Sequence, residues 1–267
     1  MPEKFIIKVN YGGLGDHLFY SHLPKIAKTV AGYSKVLVSL RSEFRNPEYK
    51  RLVWEMNPFV DGFCQDDAPY PEFGALAPGT NLLDRIMIER GLDDGLRFHE
   101  PEVYYLPKTL PGMAGRSVYD PNFVSNVGEI HTPALVRFFA ANGGGPDFQL
   151  RQRDRCFPVP RAREITTESL YHYCDLIHSC GAFYCLASGG ATLAAALGKS
   201  SRVFWGYGQL PRFHHSKLHR YQEVSPGKLG CVLRKWSRKL RRWSEKRREG
   251  AIPSNPEPGL GEGVPRA

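Results

Sequence analysis

Phe183-Tyr184-Cys185-Leu186-Ala187-Ser188-Gly189-Gly190-Ala191-Thr192-Leu193-Ala194-Ala195-Ala196-Leu197-Gly198 is the stretch whose reading decides the fold. Phe183 to Leu186 reads as a short buried strand, Ser188-Gly189-Gly190 as a tight turn, and Thr192 to Leu197 as an alanine-rich helix that Gly198 stops. A second apolar run, Arg202-Val203-Phe204-Trp205, ends at Gly206. Strand, helix and strand make a βαβ unit with a glycine turn where its helix begins. Such a turn suits a diphosphate. Glycines let the backbone approach a ligand, Ser188 is placed to cap, and the free amides and positive dipole end favour an anion. The same glycines would equally serve to lay a helix close on its sheet, so spacing alone supports both readings. Gly198-Lys199-Ser200 looks like the tail of a P-loop, but the glycine required five residues earlier is Leu193, and Gly198 ends a helix instead of opening one.

Working outward, the N-terminus repeats the pattern. Phe5-Ile6-Ile7-Lys8-Val9 is strand-like and leads into Tyr11-Gly12-Gly13-Leu14-Gly15-Asp16. His17 to Ala31 follows with apolar residues at helical spacing, interrupted by Pro24, which predicts a kink or restart near His22 or Leu23. Lys35 to Leu40 reads as the next strand, Pro47 to Met56 as a helix, Phe59 to Phe63 as a weaker strand, and Asn81 to Leu92 as a helix. Pro101 to Leu106 reads as a strand or an extended connector. A Pro and Gly-rich segment, 108–116, is the best domain boundary. Ser117 to Tyr119 restarts with a strand, a loop runs from Asp120 to Gly128, and helices are expected at Thr132 to Ala141 and Thr167 to Ser179, with an irregular basic stretch between them. The expectation is an α/β protein of two Rossmann-like domains facing across a cleft, residues 1–107 and 117–230.

These residues resemble the heptosyltransferase-like glycosyltransferases of family nine. Gly12-Gly13-Leu14-Gly15-Asp16-His17-Leu18 with Leu23-Pro24 resembles that family's opening signature, and Ser188 to Gly198, with the strand that ends at Gly206, its C-terminal donor-site motif. The resemblance implies a GT-B fold and inverting transfer of a sugar from a nucleotide diphosphate sugar to an acceptor hydroxyl, with no required metal and no cofactor beyond the co-substrate. Asp16 falls on the family's catalytic carboxylate, which takes the acceptor's proton. Read alone, it is first a helix N-terminal carboxylate favoured by the dipole. Gly13, Gly15, Ser188, Gly189, Gly190, Thr192 and Gly206, with Ser125 and Asn126 in the loop after the first strand of the second half, fall on donor-binding positions. Two positions depart: the family's acidic residue is Ala187 here, and its histidine is Thr192, which offers a hydroxyl but no charge. Residues 108–116 become the linker between an acceptor-side and a nucleotide-sugar domain. An alternative on the same fold is a non-catalytic nucleotide-sugar-binding or assembly protein. A dinucleotide-dependent oxidoreductase is disfavoured, because the further glycine it needs is Leu18.

Composition adds limits. Of 267 residues, 42% are apolar, enough for a core. No apolar run is long enough to span a membrane and no secretory leader is visible at Met1, so a cytoplasmic location is expected, and the six scattered cysteines show no zinc or disulfide spacing. The formal charge of +9 is concentrated: residues 231–249 hold nine Lys and Arg against two Glu, a net +7, leaving +2 elsewhere. Val232, Leu233, Trp236, Leu240 and Trp243 recur there at helical spacing, which predicts a basic amphipathic helix. That helix would lie on an anionic membrane, bringing the protein near a glycan or lipid-linked acceptor, or pack back on the first domain. Nucleic acid is disfavoured as a partner. Residues 250–267 are expected to be disordered. His214, His215 and His219, in a basic loop, are expected to be solvated surface.

Overall fold

The computed structural model describes residues 3–69, 76–226 and 230. β1 (Lys4–Ile7), β2 (Lys35–Ser39) and β3 (Gly62–Cys64) form a parallel three-stranded sheet in that order. α1 (Leu14–Leu18) and α2 (Leu23–Thr29) join β1 to β2. α3 (Pro47–Lys50) widens into a π-type turn over Arg51–Glu55 before β3, and α4 (Leu82–Glu89) follows that strand. The restart foreseen at Pro24 is present: Pro24 falls in the first turn of α2, where its missing N–H costs nothing. Asn46 accepts from the Glu48 N–H to start α3, and Asn81 and Asp84 cap α4 reciprocally.

The second half holds β4 (Ser117–Asp120), α5 (Thr132–Ala141), β5 (Phe148–Leu150), β6 (Arg163–Ile165), α6 (Leu170–Ser179), β7 (Ala182–Leu186), α7 (Gly189–Ala196), β8 (Ser201–Trp205) and β9 (Arg220–Glu223). Its six strands are all parallel, in the order β6-β5-β4-β7-β8-β9. Numbered within the half this is 3-2-1-4-5-6, the dinucleotide-fold order, and the strand sequence reverses between β4 and β7. Val118, Phe183, Cys185 and Val203 face one apolar cluster while Tyr119, Leu186 and Phe204 face another. That alternation explains why these strands read as unbroken apolar runs: the sheet is covered on both faces.

Several expectations change. β5, β6 and β9 were not foreseen, and the stretch 101–106 is connector only. α7 starts at Gly189, three residues before the expected Thr192, and Ser188 stands at its cap without a side-chain cap bond. His215 and His219 are buried, not solvated, and His214 stacks on Tyr221 with ring centroids 4.3 Å apart.

The apolar cluster on the α6 and α7 side is continuous with the first half, running from Phe5, Ile7 and Leu18 through Leu83 to Cys174, Leu193 and Val203. The segment 108–116 is held to α6: Asp175 accepts from Tyr105 Oη (2.9 Å) and Lys108 N (2.8 Å), and Ser179 accepts from Leu110 N (2.8 Å). Residues 3–226 form one compact unit. The expected basic helix at 231–249 and the tail at 250–267 lie outside the described residues. Among the described residues no helix is long and apolar enough to cross a membrane.

Candidate functional site

α1 and α7 meet at their N-terminal ends. A Cβ placed on Gly15 would stand 3.2 Å from Gly189 Cα and 3.5 Å from Thr192 Oγ1, and one on Gly189 would stand 3.1 Å from Gly15 N. The two glycine turns therefore touch, and a side chain at either position would require the facing backbone to give by a few tenths of an ångström. Thr192 is buried against this contact. Within α7, Gly190 is more tightly constrained, because a Cβ there would lie 2.5 Å from Tyr173 Oη and 2.9 Å from Asp120 Oδ2.

Asp120 ends β4 and α7 begins three residues past the end of β7, so both border the point where the strand order reverses. In open α/β sheets the ligand crevice lies outside the carboxyl ends of the strands at that reversal. The Asp120 carboxylate is buried and accepts from Tyr173 Oη (2.6 Å), Asn122 N (3.0 Å) and Asn122 Nδ2 (3.0 Å). Burial pushes its pKa above the usual carboxylate range, against those bonds and the Arg153 charge.

Asp16 is half-buried in α1, and its Oδ2 accepts the Gly13 N–H at 3.1 Å. Burial raises its pKa to about 6, opposed by the Gly13 bond and by Arg45 and reinforced by Glu43. It is ionised above that value yet a far better proton acceptor than an exposed aspartate. A Cβ on Gly13 would lie 2.7 Å from Asp16 Oδ2 and 3.9 Å from Arg45 Nη1, so both charged groups share the space over this glycine. His17, one residue on, is buried and stacks on Phe44. Trp54 Nε1–H donates to its Nδ1 (3.1 Å), so Nε2 carries the proton and donates to the Glu43 carbonyl (2.8 Å). Burial lowers its pKa to about 4, so it is neutral and holds the loop bearing Glu43 and Arg45 against α1.

The other expected donor residues are placed differently. Ser125 is exposed, and the Asn126 side chain closes its own turn by accepting from Gly128 N (2.8 Å). Gly206 sits under a backbone crossing, where a Cβ would lie 2.3 Å from Glu129 C. Gly128 on the same crossing has φ +81°. The structure thus brings together Gly13, Gly15, Asp16, Gly189, Gly190 and Thr192, with Ser188 at the head of α7. Missed from the sequence were Arg45 and Arg153. Also missed was Gln209, whose Nε2 ties the loops after β4 and β7 by donating to Asn126 O and Ala187 O, both at 3.2 Å. His219 was also missed; it bonds the Ala191 carbonyl of α7 through Nε2 at 2.8 Å. A glutamine or histidine in a polar loop carries no spacing signal for such roles.

With these positions fixed, the class of fold is that of glycosyltransferase family 9. The glycosyl transferase family 9 protein of Veillonella parvula DSM 2008 matches with a TM-score of 0.56 at 8% identity, over 88% of this chain and 89% of that one. E. coli ADP-heptose LPS heptosyltransferase II matches at 0.54 and 12% identity, over 83% and 90%. The iron-containing dodecameric glycosyltransferase TibC of enterotoxigenic E. coli H10407 matches at 0.57 and 14% identity; 83% of this chain is covered, but only 66% of TibC. No protein-family model and no curated protein matches the sequence. Among the described residues no group of three or more His, Cys, Asp or Glu side chains is placed to hold a metal ion.

Proposed function

We propose that the chain is a glycosyltransferase that moves a sugar from a nucleotide diphosphate sugar to an acceptor hydroxyl in cell-envelope or surface glycan synthesis. The reading rests on one observation above the others: a half-buried carboxylate of raised pKa on the first glycine turn, pressed against a second glycine turn at the strand reversal of a dinucleotide-type sheet. The fold it shares with family 9 supports the same reading, and one neighbour, TibC, is described in complex with ADP-D-β-D-heptose.

In this reading the chain works as two lobes, 1–107 for the acceptor and 117–230 for the donor, joined by 108–116 and separating at the contact of α1 with α7 to admit the sugar. The acceptor oxygen attacks the anomeric carbon from the side of Asp16, the bond from that carbon to the phosphate oxygen breaks, and the configuration inverts. Asp16 takes the hydroxyl proton and the nucleoside diphosphate leaves with the electron pair. No metal is required, the protein acts in the cytoplasm, and residues 231–249 hold it at the membrane face. Incubation with a panel of nucleotide sugars and an envelope glycan extract tests the proposal: wild type transfers sugar, and Asp16→Asn is slower by at least a hundredfold. Equal rates would remove Asp16 from the chemistry.

The direct contact of Gly15 with Gly189 favours a second reading, in which the lobes stay closed and the protein binds a nucleotide sugar without transferring it. Calorimetric binding of a nucleoside diphosphate with no turnover for any acceptor would select that reading.

A further inference from the structure

Two arginines outside every expected site face the same region from opposite halves of the chain. Arg45 follows β2; its backbone N–H donates to Gly12 O (3.1 Å) and its Nη1 stands over Gly13 beside Asp16. Arg153 follows β5; its N–H donates to Asn122 Oδ1 (2.8 Å), and Asn122 in turn bonds Asp120 at the strand reversal. Burial pushes the half-buried Tyr49 hydroxyl up in pKa and the charges of Arg153 and Arg45 both oppose it; burial also raises Asp16 and Asp120, opposed in part by Arg45 and Arg153 respectively. Both side chains are exposed, and neither forms an ion pair among the described residues. Two guanidinium groups without an ion pair among the described residues carry planar forks that suit phosphate oxygens.

We infer that Arg45 and Arg153 form a clamp for a diphosphate, one arginine from each half, beside Asp16 and the head of α7. The inference rests on the nucleotide-sugar reading for the identity of the ligand. It supplies the positive charge that neither Thr192 nor the loop 120–128 provides. It also gives the two halves a reason to close on the donor, since one bound anion satisfies a group on each. The leaving diphosphate carries a full additional charge once its bond to the sugar breaks, so a paired guanidinium clamp holds product more tightly than substrate.

The test needs no knowledge of the base. Inorganic pyrophosphate, ADP, UDP, the matching monophosphates and the nucleosides are titrated into the intact chain by calorimetry at low salt, for wild type, Arg45→Gln, Arg153→Gln and Arg151→Gln. Arg151 is an exposed neighbour of Arg153 without a place in the clamp. The expected result is pyrophosphate and diphosphate binding that falls about tenfold or more in each clamp variant and is unchanged in Arg151→Gln. Nucleosides, lacking the phosphates, should show no difference between the proteins. Equal pyrophosphate affinity in wild type and both clamp variants, or no pyrophosphate binding by wild type, overturns the clamp. A phosphorylated acceptor as the true ligand would show as pyrophosphate affinity that depends on both arginines with no preference for ADP or UDP over it, and this overturns the donor assignment. Diphosphate binding that depends on both arginines, in a chain that transfers no sugar, upholds the clamp while removing the transferase reading.

Discussion

Asp16 is the residue on which the account turns, and its protonation gives two expectations. Its folded pKa of about 6 lies above the ordinary value of 3.8, so the native state binds a proton more tightly than the unfolded chain. Below pH 3.8 both states are protonated and the carboxyl costs nothing. Between 3.8 and 6 the unfolded chain ionises first, and above 6 the folded protein carries a penalty of about 2 kcal/mol after solvent screening. Asp16→Asn should therefore match wild type in chemical denaturation at pH 3.5 and be more stable above pH 6, while losing transfer. A variant equally stable or less stable at pH 7.5 would remove the burial argument. The second expectation concerns Arg45, whose charge holds Asp16 down. In Arg45→Gln the acid limb of the rate profile should move to higher pH, a shift that a change in ligand affinity alone does not produce.

Within the second half, α7 is fitted to its neighbours by glycines, the close-packing role that the sequence offered beside the diphosphate one. Gly190→Ala would drive a methyl into Tyr173 Oη and Asp120 Oδ2, forcing α7 off the sheet and breaking the 2.6 Å bond between them. The expected cost is about 1–3 kcal/mol. Gly190→Ala with Tyr173→Phe makes room for the methyl by removing the hydroxyl, so a double-mutant cycle in urea should show favourable coupling. Additive losses would mean that the helix simply shifts. Ser188 caps nothing here, so Ser188→Ala should leave stability nearly unchanged. This differs from Ser169, which accepts from His172 N and whose removal should cost about 1 kcal/mol.

At the scale of the molecule, the halves share one core, and three buried histidines, His17, His22 and His215, lie in or beside it. Burial lowers their pKa values to about 4, 3 and 3. The unfolded chain takes up protons near pH 6.5 while the folded state cannot, so stability falls as pH drops below 6.5, by about 2 kcal/mol per histidine at pH 5. This outweighs the smaller opposite contribution of Asp16, and the urea midpoint should drop sharply between pH 7.5 and 5.

What was legible in the sequence follows from which residues face apolar surroundings. Phe183 to Leu186 and Val203 to Phe204 lie in strands covered on both faces, so their runs show plainly, as do the glycine turns beside them. β5 and β6 have only three residues each, and Arg163 and Glu164 stay exposed, so nothing distinguishes them from the basic loop around them. β9, Arg-Tyr-Gln-Glu, is an edge strand whose one apolar residue, Tyr221, is too little to mark it out in the sequence. The glycine turns were legible as a pair, but the contact between Gly15 and Gly189 depends on how the halves pack, which no local pattern encodes. Arg45 and Arg153 were hidden for the same reason, being distant in the chain and unremarkable in composition.

The proposed transfer requires Asp16 to accept the proton of an attacking hydroxyl. The most direct measurement is the pH dependence of single-turnover sugar transfer, wild type beside Asp16→Asn, with whichever nucleotide sugar supports turnover. The wild-type rate should rise with pH through a midpoint near 6 and then level, and the variant should be at least about a hundredfold slower, without that limb. A variant that transfers at the wild-type rate, or that keeps the same midpoint near 6, would contradict that role for Asp16.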